Sequence, residues 1–228
     1  MPREPGPAKF ITFEGGEGAG KSTQVRLLVA RLEAAGIPTI ATREPGGSPG
    51  AEKIREAILS GSVKRFGAAA EAIMFSAARI DHLDHTVRPS LAKGFWIVSD
   101  RFADSTRAYQ GALGKADPDL IAALERVSVG ATRPDLTLIL DLAPEAGLAR
   151  AAARRGQGAE ADRFEAEAID FHRALRRAFL DIAAAEPQRC AVFDASLPAK
   201  ELAARIWSTV TVRLLEKPKR KTAKAAAP

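Results

Sequence analysis

Cysteine is nearly absent from the 228 residues: Cys190 is the only one. A lone thiol cannot close an intrachain disulfide, which suits a reducing compartment, and its apolar setting, "CAVF", marks a small core residue. Histidine is scarce too. His82, His85 and His172 stand at no metal-ligand spacing, so no zinc site is expected and the three are read as surface or packing residues. No nucleophile–base pair suggests covalent catalysis. The sequence has no run of about eighteen apolar residues that could span a bilayer, and "MPREPGPAK" lacks the apolar stretch of a secretory leader. The expectation is a cytoplasmic protein with no membrane partner. Charge of one sign is also missing from most of the chain. The net charge is +6, but residues 216–228, "EKPKRKTAKAAAP", hold five basic residues against one acid, leaving +2 for residues 1–215. A body so near neutrality, without any motif that reads RNA or DNA, argues against a specific nucleic-acid partner. The basic end reads as a solvated, disordered tail.

Hydrophobic residues make up 46% of the chain, enough to bury a full core, and the length suits a single domain over residues 1–215. Strand-like apolar runs recur at "FITF" (10–13), "PTIAT" (38–42), "FWIVSD" (95–100), "LTLILDL" (136–142) and "CAVFDA" (190–195). Helical periodicity follows the first run up to Gly36 and returns at 68–92, 117–129, 160–185 and 198–216. Strands alternating with helices imply an α/β fold, a parallel sheet covered on both faces. In such sheets ligands bind beyond the carboxyl ends of the strands. Those positions hold a glycine loop, "REPGG" (43–47), "DRF" (100–102) and an arginine-rich segment.

The glycine loop is the sharpest signal. In "FITFEGGEGAGKST", Gly15 is followed after four residues by Gly20-Lys21-Ser22, joining a strand to a helix. Gly15, Gly18 and Gly20 let backbone N–H groups converge on an anion, and the helix N-terminus adds partial positive charge. Lys21 then reaches the β- and γ-phosphates of a nucleotide, and Ser22, followed by Thr23, supplies a hydroxyl to Mg²⁺. At ordinary residue usage the pattern arises by accident in about one chain of this length in a hundred. Asp100 ends the third apolar run, where a carboxylate holds Mg²⁺ through water or caps the next helix, and Arg101 can bridge phosphates.

The segment 147–165, "GLARAAARRGQGAEADRFE", gathers Arg150, Arg154, Arg155 and Arg163 around "GQGA". Phosphoryl transfer needs cations once the site has closed, and a mobile arginine-bearing lid supplies them while expelling water. The plainer reading is a solvated helix whose arginines pair with Glu160 and Glu165. In "EAIMFSAARIDHL", Phe75 and Arg79 are four apart and share a helical face. A ring and a guanidinium so placed can clamp a planar heterocycle, although a core phenylalanine beside a surface arginine is the commoner arrangement.

The ordered set "FEGGEGAGKST", "TREPGG", "MFSAAR", "SDRFADSTRAYQG", "RPDLTLILDL" and "GLARAAARRG…DRFE" resembles bacterial thymidylate kinase over residues 9–195. The resemblance implies a P-loop NTPase-type five-stranded parallel sheet and Mg²⁺-dependent transfer of the γ-phosphoryl of ATP to dTMP, serving dTTP synthesis, in a homodimer packed through helices. It implies that Glu17 meets the deoxyribose 3′-hydroxyl, Phe75 stacks on thymine and Arg79 reaches a base carbonyl. It also places Arg101 on the acceptor phosphate, Arg43 along the same pocket and Thr106 beside the pyrimidine edge. Tyr109 would fill the space of a 2′-hydroxyl, and Gln110 of "AYQG" joins the substrate-binding set. The family carries its catalytic arginine in the glycine loop or in the lid. Here the loop has none, so Arg150, Arg154 and Arg155 are candidates, with Arg154 the choice. Phe102 replaces a tyrosine or histidine of some members, and the lid is slightly longer than the compact version. Other monophosphate kinases, a deoxynucleoside kinase and a P-loop ATPase switch are the rival readings. Tyr109 and the Phe75/Arg79 pair oppose the other kinases, and the near-neutral body opposes the ATPase switch.

Overall fold

Each of the five apolar runs becomes a strand of one parallel sheet in the computed structural model, which describes residues 7–155 and 163–216. The strands are β1 (Phe10–Gly15), β2 (Thr39–Arg43), β3 (Trp96–Asp100), β4 (Leu136–Asp141) and β5 (Cys190–Asp194), in the order β2-β3-β1-β4-β5. The helices are α1 (Lys21–Ala34), α2 (Pro49–Leu59), α3 (Gly67–His82), α4 (Arg88–Ala92), α5 (Ala103–Thr106), α6 (Pro118–Ser128), α7 (Pro144–Arg155), α8 (Ile169–Ala185) and α9 (Ala199–Val210). Wider turns bonded i to i+5 join α3 to α4 (Leu83–Val87), lengthen α5 (Arg107–Leu113) and lengthen α9 (Thr211–Leu215).

Strands apolar on both faces need cover on both. On one side Ile11, Phe13, Val98 and Leu138 pack against Leu28 and Leu32 of α1 and Leu202 and Ile206 of α9. On the other, Ile139 meets Leu175, Phe179 and Ile182 of α8, while Phe10 and Ile97 meet Leu83, Val87 and Phe102. The helix expected over 160–185 starts only at Ile169. Residues 163–168 turn instead, with the Arg163 guanidinium paired to Glu71 and stacked over Phe164. Residues 156–162 of the expected lid and 217–228 of the expected tail lie outside the described residues. Among the described residues no helix is long and apolar enough to cross a membrane.

The sheet order places the functional loops. From β1 the chain builds β3 and β2 on one side and β4 and β5 on the other, which opens a crevice at the carboxyl end of β1. Asp100 is level with Phe13 of β1 and Arg43 of β2. The Arg101 N–H donates to the Phe13 carbonyl at 2.9 Å and the Glu44 N–H to the Asp100 carbonyl at 3.0 Å. The glycine loop, "REPGG" and "DRF" therefore end at one height.

Candidate active site

The glycine loop runs from β1 into α1, with Gly18 at φ +66° and Gly20 at φ +88°. A Cβ on Gly18 would lie 1.9 Å from the Gly147 carbonyl oxygen, so the loop passes against the start of α7 at a distance only glycine allows. Lys21 is buried and donates to the Gly15 and Gly16 carbonyls at 3.1 and 2.8 Å. Burial and the charge of Arg101 pull its ammonium below the ordinary lysine range. The Ser22 hydroxyl donates to Asp100 Oδ2 at 2.5 Å. This close pair of hard oxygen donors beside the loop fits Mg²⁺, which prefers carboxylates, hydroxyls and water.

A cavity of about 260 Å³ opens from the loop toward α2 and α3. Glu17, Gly18, Gly20, Lys21, Ser22, Thr23, Asp100 and Arg101 line one end, and Arg43, Phe75, Thr106, Tyr109, Gln110 and Arg154 continue the wall. At its centre Arg101 Nη2 donates to Glu17 Oε1 at 2.5 Å, and the Tyr109 hydroxyl donates to the same oxygen at 2.9 Å. Burial pushes Glu17 up, but Arg101, Lys21 and the Tyr109 hydroxyl outweigh it and hold the carboxyl at about 2. Burial raises the Tyr109 phenol well above its ordinary value, so it stays protonated as a donor. Phe164 meets the Tyr109 ring edge-on at 5.2 Å, fixing its plane.

Phe75 and Arg79 reverse the commoner expectation for such a pair. Phe75 is half-buried at the cavity wall, whereas Arg79 is 3% exposed and stands behind the wall. Arg79 Nε donates to Glu44 Oε2 at 2.8 Å and its Nη2 to Thr106 Oγ1 at 2.9 Å, leaving Nη1 for a third acceptor. Glu44 in turn meets His82 Nδ1 at 3.0 Å, and His82 Nε2 meets Thr42 Oγ1 at 2.7 Å. His82 is thus a fully buried support for Glu44 and not a surface residue, His172 is buried, and His85 is exposed.

The lid arginines separate. Arg154 is exposed, lines the cavity and lies 3.5 Å from Glu165 Oε1. Arg150 points elsewhere, donating to the Ala195 and Ser196 carbonyls at 2.8 and 3.4 Å. Arg155 ends α7, and its side chain lies outside the described residues. Arg43 pairs with Glu52 at 2.9 Å. Gly15 supports the loop from below, where a Cβ would meet the Leu140 carbonyl at 2.5 Å. Sequence reasoning passed over Glu14, Glu44 and Arg55. The first two sit beside recognised motifs, and Arg55, on the unexpected α2, lines the cavity and donates to the Pro45 carbonyl at 2.7 Å.

A family model described as thymidylate kinase matches residues 13–206. The chain is 60% identical over 219 residues to a thymidylate kinase of Rhodopseudomonas palustris strain TIE-1, covering 96% of this chain and 94% of the relative. It is 58% identical over 207 residues to one from Nitrobacter winogradskyi, covering 91% and 90%. A crystal structure of thymidylate kinase from Ehrlichia chaffeensis superposes with a TM-score of 0.71 at 29% identity, covering 90% of this chain and 99% of that one. With a parallel sheet, a glycine loop and an adjoining cavity already in place, this chain belongs to the thymidylate kinase family, enzymes that transfer phosphoryl groups on a P-loop α/β fold.

Proposed function

We propose that the protein transfers the γ-phosphoryl of ATP to dTMP, giving ADP and dTDP. The observation that carries this reading is the single cavity in which the phosphate-binding cations Lys21 and Arg101 face Phe75, Thr106, Gln110 and Tyr109. One end suits phosphates, and the other suits a flat base on a deoxyribose. A dTMP phosphate oxygen attacks the γ-phosphorus in line as the bond to the β-phosphate oxygen of ADP breaks. The attacking oxygen carries no proton to remove at neutral pH, so positioning and charge compensation do the work. Arg101 holds the acceptor phosphate, Lys21 and the loop N–H groups hold the donor, and Arg154 closes over the transferring group from the lid. Ser22 and, through water, Asp100 would hold Mg²⁺, which screens the phosphate charges when bound. Phe75 stacks on thymine, Arg79 reaches a base carbonyl with its remaining Nη1, Glu17 takes the 3′-hydroxyl, and Tyr109 fills the space of a 2′-hydroxyl. Ile73 and Ile80, seven apart on one face of α3, are exposed, as is Phe66 just before the helix begins, which supports pairing as a homodimer.

A coupled ADP-release assay with Mg²⁺-ATP tests this against dTMP, dUMP, dCMP, UMP, thymidine and no acceptor. Turnover with dTMP, with dUMP trailing and the others near background, is the expected outcome, and Lys21→Ala should abolish it. Preference for another acceptor would overturn the base and sugar contacts, and acceptor-independent ADP release would overturn the transfer itself.

A further inference from the structure

Glu14 is the penultimate residue of β1, which is buried throughout, and its side chain carries a carboxyl into the interior at 0% exposure. Its Oε1 accepts from the Phe102 N–H at 2.8 Å and the Ser105 N–H at 3.3 Å, and its Oε2 lies 2.7 Å from the Ser105 hydroxyl. Between β3 and these anchors sits Arg101 at φ +71°, the left-handed region that side-chain-bearing residues rarely adopt. That backbone turns the guanidinium back toward β1, where Nη1 donates to the Gly15 carbonyl at 3.2 Å and to Ser105 Oγ at 3.3 Å. Ser105 is therefore a bridge, its hydroxyl touching the carboxyl on one side and the guanidinium on the other.

We propose that Glu14 is a positioning residue for the acceptor-phosphate site: through the Phe102 N–H and Ser105 it fastens the turn that holds Arg101 in its left-handed conformation and aims the guanidinium at the phosphate. This rests on the reading of Arg101 given above. The protonation state of Glu14 sets how strongly the site attracts that phosphate. Burial and the Asp104 carboxylate push the group up to about 8, against the pull of Arg101, Ser105 and the Phe102 N–H. Around neutral pH the carboxyl is therefore mostly a neutral acid. It still anchors the turn, but places no full negative charge beside the cations. The charged groups facing it are Asp104 and Arg101 on the turn and Lys21 on α1. Ionisation at higher pH sets a carboxylate against Arg101 and Lys21, and the dTMP phosphate must then compete with it for both.

The test measures dTMP KM and kcat between about pH 7 and about pH 9.5 in the wild type, Glu14→Gln and Ser105→Ala. In the wild type KM should rise roughly five- to tenfold with a midpoint near 8, kcat changing less. Glu14→Gln, whose amide mimics the neutral acid, should lose the rise. Ser105→Ala should raise KM across the whole range because the guanidinium loses its bridge. A rise that persists in Glu14→Gln belongs to Lys21 and overturns the proposal, as does a flat wild-type profile. Should Glu14→Gln fail to fold by circular dichroism, the wild-type midpoint and Ser105→Ala decide, and an unchanged KM in Ser105→Ala overturns it. Full turnover in Arg101→Ala is a different result, which removes Arg101 from the phosphate site and with it the reading on which the proposal rests.

Discussion

Glu17 and Glu14 lie three residues apart, and their surroundings drive them in opposite directions. Glu17 is held at about 2 because Arg101, Lys21 and Tyr109 outweigh its burial, and Glu14 is raised to about 8 because burial and Asp104 outweigh its donors. The sign of the stability effect follows from linkage. Glu17 ordinarily titrates at 4.5, so the unfolded chain takes up its proton first on acidification. Its stabilisation is fully present above 4.5 and lost as pH falls through about 2. Urea unfolding of the wild type should therefore lose on the order of a few kcal/mol across that acid window. Glu17→Gln should be less stable at neutral pH, where Arg101 loses its partner, yet lose less on acidification. An acid limb identical in the two proteins would show that the pair does not hold this carboxyl down. The sequence made Glu17 legible because it lies inside the glycine motif. Glu14 escaped notice because it follows an apolar run that reads as strand throughout. The alternation that puts Phe10, Thr12 and Glu14 on one face was nevertheless there to be read.

Among the elements, the five strands were legible because buried parallel strands are short unbroken apolar runs, whereas the helices that shape the pocket were less so. No helix was expected over α2. It opens on Pro49-Gly50 and has only two buried residues, Ala51 and Ile58, so its apolar stripe is too thin to stand out. The neighbouring helix fixes it instead, through the half-buried Asp81 of α3, which accepts from Ser48 Oγ at 2.5 Å and the Ala51 N–H at 2.9 Å. The start of α7 is set by a contact that sequence periodicity does not encode. A Cβ on Gly147 would lie 2.3 Å from the Glu17 carbonyl oxygen, and that atom is backbone and cannot swing aside. Gly147→Ala must push α7, with Arg150 and Arg154, away from the glycine loop. We expect a loss of about 1–3 kcal/mol in thermal unfolding from the overpacking. A fall in kcat of about tenfold to a hundredfold should accompany it, since an ångström of misplacement is that expensive in phosphoryl transfer. Stability lost with kcat intact would mean that α7 and its arginines do not depend on this contact.

At the scale of the whole molecule, α3 serves two surfaces at once. Phe75 lines the cavity with Arg79 buried behind it, while Ile73 and Ile80 stand 50% and 37% exposed, and Phe66, just before the helix, is 63% exposed. Neighbouring α6 adds Val127 at 75% exposure. Large apolar residues left exposed together fit the homodimer proposed above, in which a second copy would cover them. With only +2 on residues 1–215, two copies meet little electrostatic resistance. Sedimentation of the wild type should therefore show a dimer, and Ile73→Asp with Ile80→Asp should shift it to a monomer by placing two carboxylates from each copy in the seam. Because the helix that loses its cover also carries Phe75 and Arg79, proposed above to hold the base, the monomer should need several-fold more dTMP while its maximal rate falls less. A monomeric wild type would remove the interface, and a monomeric variant with unaltered dTMP KM would show that the pocket face of α3 holds its shape without a partner.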